Sequence, residues 1–171
     1  MKALIDVDGV VADFIGHVLD VLRSTKKPED ITDWHFLTFL SPEEQAKAHE
    51  LLDTREFWET LPLKEGARDG ISHLRDFLGF DITWITSPWP GCAEWADARK
   101  AWIKRHFGND PVIIASDKEK YDGDLFIDDK PANVEKWRNS HLGKQAFLFD
   151  TPQNKSVLLP RVTWESLRCL G

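Results

Sequence analysis

The chain has 171 residues, which is enough for one domain, or for one domain that carries a sizeable insertion. Its formal net charge of −7 argues against a protein that binds a nucleic-acid backbone along a basic stripe. The two cysteines form no CxxC pair or Cys/His cluster, so a zinc site is not expected, and no apolar run is long enough to span a membrane. The N-terminus lacks the apolar stretch of a signal peptide, which favours a cytoplasmic protein.

Apolar periodicity, capping residues and glycines predict strands and helices in alternation. In chain order, the predicted elements are a strand at residues 3–7, a helix at 11–22, a helix from about 42 to 52, a helix at 66–78, a strand at 81–86, a helix at 92–107, strands at 112–115 and 125–127, a helix at 133–138, a strand at 146–149 and a helix at 164–170. The second helix has the clearest start, because Ser41 and Glu44 form a capping box around Pro42 at the first helical position.

This alternation predicts an α/β fold, a Rossmann-like parallel sheet with helices on both faces. Asp6 and Thr86, at the ends of the first two strands, are 80 residues apart, whereas a strand–helix–strand unit needs only about 30. The excess predicts a small helical cap inserted after the first strand–helix unit, next to the ligand-binding edge of the sheet. The predicted domains are a core of residues 1–24 and 66–171 and a cap of residues 25–65.

Asp6 and Asp8 end the first predicted strand and point to the same face, because side chains alternate along a strand with a period of two. Of two carboxylates this close, one can attack a phosphorus atom, and the other can protonate the leaving oxygen and later deprotonate water. Gly9 permits the sharp exit of the chain after Asp8. An Asp-Gly pair is also a common surface turn, but the strand before it and the helix after it favour the catalytic interpretation.

Further polar residues lie near the ends of later predicted strands, at the edge of the sheet where ligands bind. Thr86 and Ser87 can donate hydrogen bonds to a phosphate, although Thr-Ser-Pro is also an ordinary loop start. Lys118 or its neighbour Lys120 can neutralise phosphoryl charge, although a single loop lysine is more often only solvated. These residues therefore predict a phosphate site without choosing between the two lysines.

Asp128 and Asp129 follow another predicted strand. Two adjacent carboxylates are unfavourable without a cation, because their charges repel. Magnesium is usually held by one or two carboxylates together with phosphate oxygens. Asp6 and Asp128 can supply these carboxylates, with the main-chain carbonyl of Asp8 and water molecules completing the coordination shell.

In chain order the signals are DxDG, Thr, Lys and Asp-Asp, each near a strand end, and this order resembles the phosphatase branch of the haloacid dehalogenase superfamily. The resemblance covers nearly the whole chain. Within that superfamily the sequence is most similar to the 5′(3′)-deoxyribonucleotidases. The matching stretches are DVDGVVADF, ITSP followed by a helix that carries AW and ends in FG, SDK, and DLFIDDKP.

The resemblance assigns roles to the motif residues. It implies that Asp6 is the nucleophile and Asp8 the acid/base residue, and it favours Lys118 over Lys120 at the phosphate. The residues expected to contact phosphate or substrate are Thr86, Ser87, Lys118, Arg99, Phe14 and Trp89. The residues expected to hold Mg²⁺ are Asp6, Asp8, Asp128 and Asp129, the last through water or Lys118.

Three positions depart from the family pattern. Arg99 stands where the family has a second phosphate-contacting lysine, which keeps the charge but changes its geometry. Trp89 replaces an aliphatic residue of the vertebrate enzymes, and Lys130 replaces an arginine. Both of these positions belong to the nucleoside side of the pocket, so the base preference of those enzymes does not carry over to this chain.

The implied function is a magnesium-dependent phosphomonoester hydrolase that forms an aspartyl phosphate and dephosphorylates (deoxy)nucleoside monophosphates. Aromatic residues of the predicted cap favour a nucleotide because they can stack on a base, although most are expected to form the cap's own core. They are Trp34, Phe36, Phe39, Phe57 and Trp58. The alternatives are a phosphatase of a sugar phosphate or another small phosphomonoester, an inactive phosphate-binding relative, and a phosphoacceptor signalling domain, in which the acidic pair would precede the phosphoacceptor Asp. A small nucleotide is the expected partner, rather than a nucleic acid or a membrane, and the oligomeric state is left open, a homodimer included.

Overall fold

The structure is a computed structural model that describes residues 1–168. The strands in this range are β1 (Lys2–Ile5), β2 (Asp81–Thr86), β3 (Val112–Ile114), β4 (Leu125–Asp128), β5 (Gln145–Phe149) and β6 (Arg161–Val162). The helices are α1 (Phe14–Leu22), α2 (Pro42–Leu52), α3 (Arg55–Thr60), α4 (Ala67–Ser72, continued by a π-helical turn over His73–Phe77), α5 (Trp95–Phe107), α6 (Pro131–Ser140) and α7 (Trp164–Arg168). Short 3₁₀ turns lie at Pro28–Asp30, Phe36–Phe39, Lys118–Lys120 and Pro152–Asn154.

The strands form one sheet in the order β3-β2-β1-β4-β5-β6, and every pair is parallel. The chain builds outward from β1 to β2 and β3 on one side, then crosses to β4 and continues outward to β6 on the other. The order of the strands thus reverses between β1 and β4. Ligands of open parallel sheets bind beyond the carboxyl ends of the strands at such a point.

Helices cover both faces of the sheet, as the sequence predicts. Ala3 and Ile5 of β1 belong to a large buried cluster that also contains residues of α4, α5 and α7. Leu4 points to the opposite face, where Phe126 of β4 packs with Trp137 of α6 in a smaller cluster. This alternation along β1 explains why the strand reads as an uninterrupted apolar run, because a parallel strand is buried on both sides.

Residues 25–65 contain α2 and α3, whose buried side chains belong to the larger cluster. The α3 helix packs against α5. The indole nitrogen of Trp102 in α5 donates to the carbonyl of Leu61 at 2.7 Å. At the opposite end of the segment, the amide of Gln153 donates to the carbonyl of Ile31 at 2.6 Å. Hydrogen bonds therefore hold this segment against the sheet-bearing part of the chain on two sides.

The predicted bounds agree with the structure where local signals are strong. The β2 strand spans the predicted residues, and the capping box of Ser41 and Glu44 is present at the start of α2. The α1 helix begins at Phe14 rather than at residue 11, because the chain first makes a turn in which three successive N–H groups, at residues 10–12, donate to the carbonyl of Val7. Asp13 then accepts a hydrogen bond from Gly16 as the N-cap.

Other helices begin or end at residues that differ from the prediction, and two elements were not predicted. The α5 helix begins at Trp95 rather than at residue 92, and α6 is longer at both ends than predicted. The short α3 and β6 elements were not predicted from the sequence. The last helix is described to Arg168, and the predicted end at Leu170 lies outside the described residues. Within residues 1–168, no helix has both the length and the apolar composition needed to cross a bilayer.

Candidate active site

Carboxylates meet a lysine at the carboxyl ends of β1 and β4. Asp6 directly follows β1, and Asp128 is the last residue of β4, the neighbouring strand. The ammonium nitrogen of Lys118 lies 2.6 Å from Asp6 Oδ1 and 2.7 Å from Asp128 Oδ2. Only 2% of the Lys118 side chain is exposed. With Asp129, these residues form what we call the carboxylate cluster.

The orientation of Asp128 is fixed by the start of α6. Its Oδ1 accepts a hydrogen bond from the backbone N–H of Lys130 at 2.8 Å. The side-chain amide of Asn133 donates to both oxygens of Asp128, at 3.2 Å and 3.0 Å. Sequence reasoning missed Asn133, although its place in the first turn after the Asp-Asp pair is a usable signal.

Asp129 is fitted against the turn that follows β1. Gly9 has a φ of +79°, and a Cβ atom at this position would lie 1.9 Å from Asp129 Oδ2. Position 9 therefore requires glycine both for its backbone conformation and for the close approach of a carboxylate. The amide of Asn154 donates to the main-chain carbonyl of Asp129 at 2.7 Å, a contact that the sequence did not reveal.

Burial and like charges change the proton affinities of the carboxylate cluster. Burial raises the pKa of Asp6 to about 7, Asp128 and Asp8 add to the rise, and Lys118 opposes it. Burial also raises the pKa of Asp129 well above its usual value, with added repulsion from Asp6 and Asp128. For Lys118, burial lowers the pKa, but its two carboxylate partners outweigh burial, so its pKa is raised. Three carboxyl groups thus face a single ammonium group, so full ionisation would leave negative charge that the lysine does not balance.

This charge imbalance fits a divalent cation. One carboxylate oxygen each from Asp6, Asp128 and Asp129 lie within 4.8 Å of one another, and all three residues are buried. Oxygen-only donors of this kind suit Mg²⁺, and a bound cation would favour the ionised carboxylates. The side chain of Asp8, the fourth residue of the predicted metal set, is not in this group, which leaves only its main-chain carbonyl as the expected donor.

Asp8 is paired with Arg99 instead. One guanidinium nitrogen, Nη2, donates to both oxygens of Asp8, at 2.7 Å and 3.0 Å. The Arg99 side chain is fully buried and does not line the adjoining cavity, whereas 29% of the Asp8 side chain is exposed. Arg99 therefore contacts Asp8 and is not among the residues that line the cavity, and its contact with phosphate stays a prediction.

A cavity of about 300 Å³ opens next to the carboxylate cluster and is lined on another side by aromatic rings. Phe14 of α1 stacks on Trp58 of α3 with ring centroids 5.7 Å apart and meets the edge of Phe36 at 5.5 Å. Trp89 is in the loop after β2, and its ring centroid lies 5.7 Å from that of Trp58. We call Phe14, Phe36, Trp58 and Trp89 the aromatic wall. The cavity thus joins a charged end to an apolar end.

The remaining predicted residues divide between the cavity and the larger buried cluster. Thr86 and Ser87 line the cavity at the end of β2, and Trp34 of the predicted cap lines it as well. Of the other two aromatic residues of the predicted cap, Phe57 belongs to the larger buried cluster and Phe39 packs against it, and neither lines the cavity.

The lysines near the site differ in their exposure and in whether they line the cavity. Lys120, the competitor of Lys118, is 71% exposed and pairs with Asp117 at 2.5 Å. Two lysines that the motifs did not assign to phosphate, Lys64 and Lys130, do line the cavity. The ammonium of Lys64 lies 5.7 Å from the ring centroid of Phe149. The structure therefore places Lys118, and not Lys120, between Asp6 and Asp128.

Similarity to known proteins extends over nearly the whole chain. The family described as 5′ nucleotidase, deoxy (pyrimidine), cytosolic type C protein matches residues 1–167. A Bordetella pertussis protein provisionally named a 5′(3′)-deoxyribonucleotidase is 29% identical, over 98% of this chain and 94% of its own. The human cytosolic-type 5′(3′)-deoxyribonucleotidase is 25% identical, over 94% of this chain and 85% of its own.

The fold agrees with this similarity. The solved structure of a provisionally named haloacid dehalogenase-like hydrolase from Burkholderia xenovorans superposes with a TM-score of 0.58 at 14% identity, covering 99% of this chain and 95% of that one. Together, these matches confirm the resemblance that the sequence motifs carry. The chain belongs to the 5′ nucleotidase, deoxy (pyrimidine), cytosolic type C family and has a haloacid dehalogenase-like fold.

Proposed function

We propose that this chain hydrolyses nucleoside monophosphates, deoxyribonucleotides in particular, with Asp6 as the nucleophile. One observation carries the proposal: a single cavity of about 300 Å³ has the carboxylate cluster at one end and the aromatic wall at the other. A phosphate and a base attached to the same sugar need these two environments at the same time. The cavity volume lies in the range of sites for small ligands, which argues against a polymer or a phosphoprotein as substrate.

In the proposed reaction, a carboxylate oxygen of Asp6 attacks phosphorus, and the bond from phosphorus to the sugar oxygen breaks. Asp8 gives its proton to the leaving oxygen, which departs as the nucleoside hydroxyl. Water then attacks phosphorus of the aspartyl phosphate, and Asp8 takes a proton from that water. The bond between phosphorus and Asp6 breaks, which releases inorganic phosphate and restores both carboxyl groups to their starting states.

The carboxylate cluster fits the other needs of this reaction. Lys118 contacts Oδ1 of Asp6 and can offset charge on the phosphoryl group. Thr86 and Ser87 line the same cavity and can donate hydrogen bonds to phosphoryl oxygens. Asp6, Asp128 and Asp129 are the residues that would hold Mg²⁺. Bound there, Mg²⁺ would neutralise the carboxylates and polarise the phosphoryl group.

The nucleotide part of the proposal rests on the aromatic wall and on the relatives. Stacked rings offer a flat apolar surface, which suits a base better than a sugar that presents mainly hydroxyl groups. The family description and the names of the relatives refer to deoxyribonucleotides. We include residues 25–65 in the proposal as a cap, because Trp34, Phe36 and Trp58 line the cavity from this segment. A cytoplasmic location is also proposed, since one relative is a cytosolic-type enzyme.

The test is to measure kcat/KM for dUMP, dTMP, UMP and glucose 6-phosphate under identical conditions with Mg²⁺. We expect the deoxynucleotides to exceed glucose 6-phosphate by at least about 100-fold, because the sugar phosphate leaves the aromatic wall without a partner. EDTA should abolish turnover, added Mg²⁺ should restore it, and Ca²⁺ should substitute poorly because of its larger coordination shell. A preference for the sugar phosphate would contradict the substrate assignment, and full activity in chelator would contradict the metal assignment.

A further inference from the structure

The contact between Arg99 and Asp8 places a fully buried positive charge directly behind the proposed acid/base residue. Only one nitrogen of the guanidinium, Nη2, reaches the carboxylate. The other two nitrogens, Nε and Nη1, are buried and have no hydrogen-bond partner within the described part of the chain. A buried cation with two unsatisfied donors is costly, so its surroundings must offset that cost in another way.

Three indole rings supply this compensation. The central carbon of the Arg99 guanidinium lies 5.2 Å from the ring of Trp58, 5.8 Å from Trp95 and 5.6 Å from Trp102. The negative face of an aromatic ring attracts a cation within about 6 Å, and tryptophan is the best partner. Trp95 and Trp102 stand four residues before and three residues after Arg99 in α5, so they share its helix face. The cation is thus enclosed by rings and left with one direction for hydrogen bonding.

Two of these rings are themselves anchored. The indole nitrogen of Trp102 donates to the carbonyl of Leu61 at 2.7 Å, and that of Trp58 donates to the carbonyl of Leu52 at 2.8 Å. Both acceptors belong to the segment 25–65. Trp58 also belongs to the aromatic wall and stacks on Phe14. A continuous set of contacts therefore runs from the apolar end of the cavity, through Trp58 and Arg99, to Asp8.

We propose that Arg99, held by Trp58, Trp95 and Trp102, is the positioning residue of Asp8. In the family pattern, the position of Arg99 holds a lysine that contacts phosphate. Here Arg99 would instead affect the reaction by orienting the carboxylate of Asp8. By bonding both oxygens of Asp8 from the buried side, Arg99 holds the exposed side of the carboxylate toward the leaving oxygen. The inference rests on the proposed roles of Asp6 and Asp8, but not on the identity of the nucleoside.

The test uses two aryl phosphates that differ in how much proton donation their leaving groups need. Phenyl phosphate needs an acid to release phenol, whereas p-nitrophenolate leaves without one. The value of kcat/KM reports the steps up to formation of the aspartyl phosphate. For Arg99→Met, we expect kcat/KM to fall about 100-fold or more on phenyl phosphate, the usual size of general-acid catalysis, and less than about tenfold on p-nitrophenyl phosphate.

Two further variants complete the test. Arg105→Met is the matched control, because Arg105 is also in α5 and donates to a main-chain carbonyl of α3, at Glu59, without contacting Asp8; its kcat/KM should stay within about twofold of wild type on both substrates. Arg99→Lys keeps the charge and should recover part of the loss on phenyl phosphate, with little change on p-nitrophenyl phosphate. If Arg99→Met does not fold, as judged by its thermal melt, Arg99→Lys decides the question on the same two substrates.

Equal losses on the two aryl phosphates would overturn the inference, since a residue that only supports the fold or binds phosphate affects both alike. A loss confined to KM would overturn it as well. The nucleotide proposal is tested separately. A wild-type protein that hydrolyses both aryl phosphates but not dUMP would contradict the nucleotide assignment and leave the result for Arg99 standing.

Discussion

The two ends of the cavity are built by different means. In the carboxylate cluster, Asp6 and Asp128 sit at the ends of adjacent central strands, and Lys118 holds both. In the aromatic wall, the rings come from α1, from residues 25–65 and from the loop after β2, and ring-to-ring contacts join them. The first end is fixed by the sheet and by charge, whereas the second is fixed by ring packing. The comparison teaches that Trp89 can be altered without touching the carboxylate cluster, whereas Trp58 joins the two ends through its contact with Arg99.

The largest expected effect comes from removing the nucleophile at the carboxylate end. Asp6→Asn should lower kcat by at least about 10³-fold, because an amide cannot form the acyl phosphate. The fold should persist, since the amide has nearly the same size and relieves like-charge repulsion with Asp128. Steady-state assays on dUMP with a thermal melt of the variant check both statements.

Asp8→Asn is the comparison variant for this prediction. It should also be severely impaired in turnover, yet it should still allow slow phosphorylation of Asp6 by a substrate with a good leaving group. Mass spectrometry of the intact protein would detect the added phosphoryl group. Retention of more than a few per cent of activity by Asp6→Asn would show that the covalent mechanism is wrong.

A smaller but still large effect is expected from the lysine of the same cluster. Lys118→Met should lower kcat by about 10²- to 10³-fold, as found when charge-stabilising donors are removed from other active sites. Lys120→Met is the matched control, because Lys120 lies two residues away and is 71% exposed; its kcat should stay within about twofold of wild type. Equal effects of the two substitutions would mean that the phosphoryl charge is met elsewhere, for instance by Lys64.

The smallest effect is expected at the apolar end of the cavity, and it should appear in KM rather than in kcat. Trp89→Ala should raise KM for dUMP about tenfold, because stacking of a base on an aromatic ring contributes about 1–3 kcal/mol, while kcat should change little. Phe39→Ala is the control, since Phe39 is an aromatic residue of the same region that does not line the cavity. Comparing dUMP with glucose 6-phosphate sharpens the result, because Trp89→Ala should leave the sugar phosphate unaffected. No change for dUMP would remove Trp89 from the substrate site.

The carboxylate end was largely predictable from the sequence, and the reason is geometric. In a parallel sheet, residues at strand ends gather at one edge, so finding the strands places Asp6, Asp128 and Thr86 together. The choice of Lys118 over Lys120 did not follow from local pattern, because both lie in the same short turn, and only the resemblance favoured it. Asn133 carries a weak signal, since its role depends on how the first turn of α6 meets Asp128.

The apolar end and Arg99 were less predictable. Trp95, Arg99 and Trp102 share a helix face that the spacing reveals, but the third ring, Trp58, comes from a different helix. An arginine in a phosphatase sequence is expected to face the phosphate, and only the packing of α3 on α5 shows that Arg99 is enclosed. The late start of α1 has a similar cause, because the turn after Gly9 is set by hydrogen bonds to Val7 and not by apolar spacing.

The central position of β1 determines when the site can be completed during synthesis. Lys2 pairs with Asp81 and Ala3 pairs with Leu125, so 79 and 122 residues of chain separate β1 from its two neighbouring strands. Closing such long loops makes folding slow, and until β4 has left the ribosome one edge of an apolar strand stays unpaired. A nascent chain that stops before β4 would therefore expose that edge, and it would carry Asp6 without Asp128.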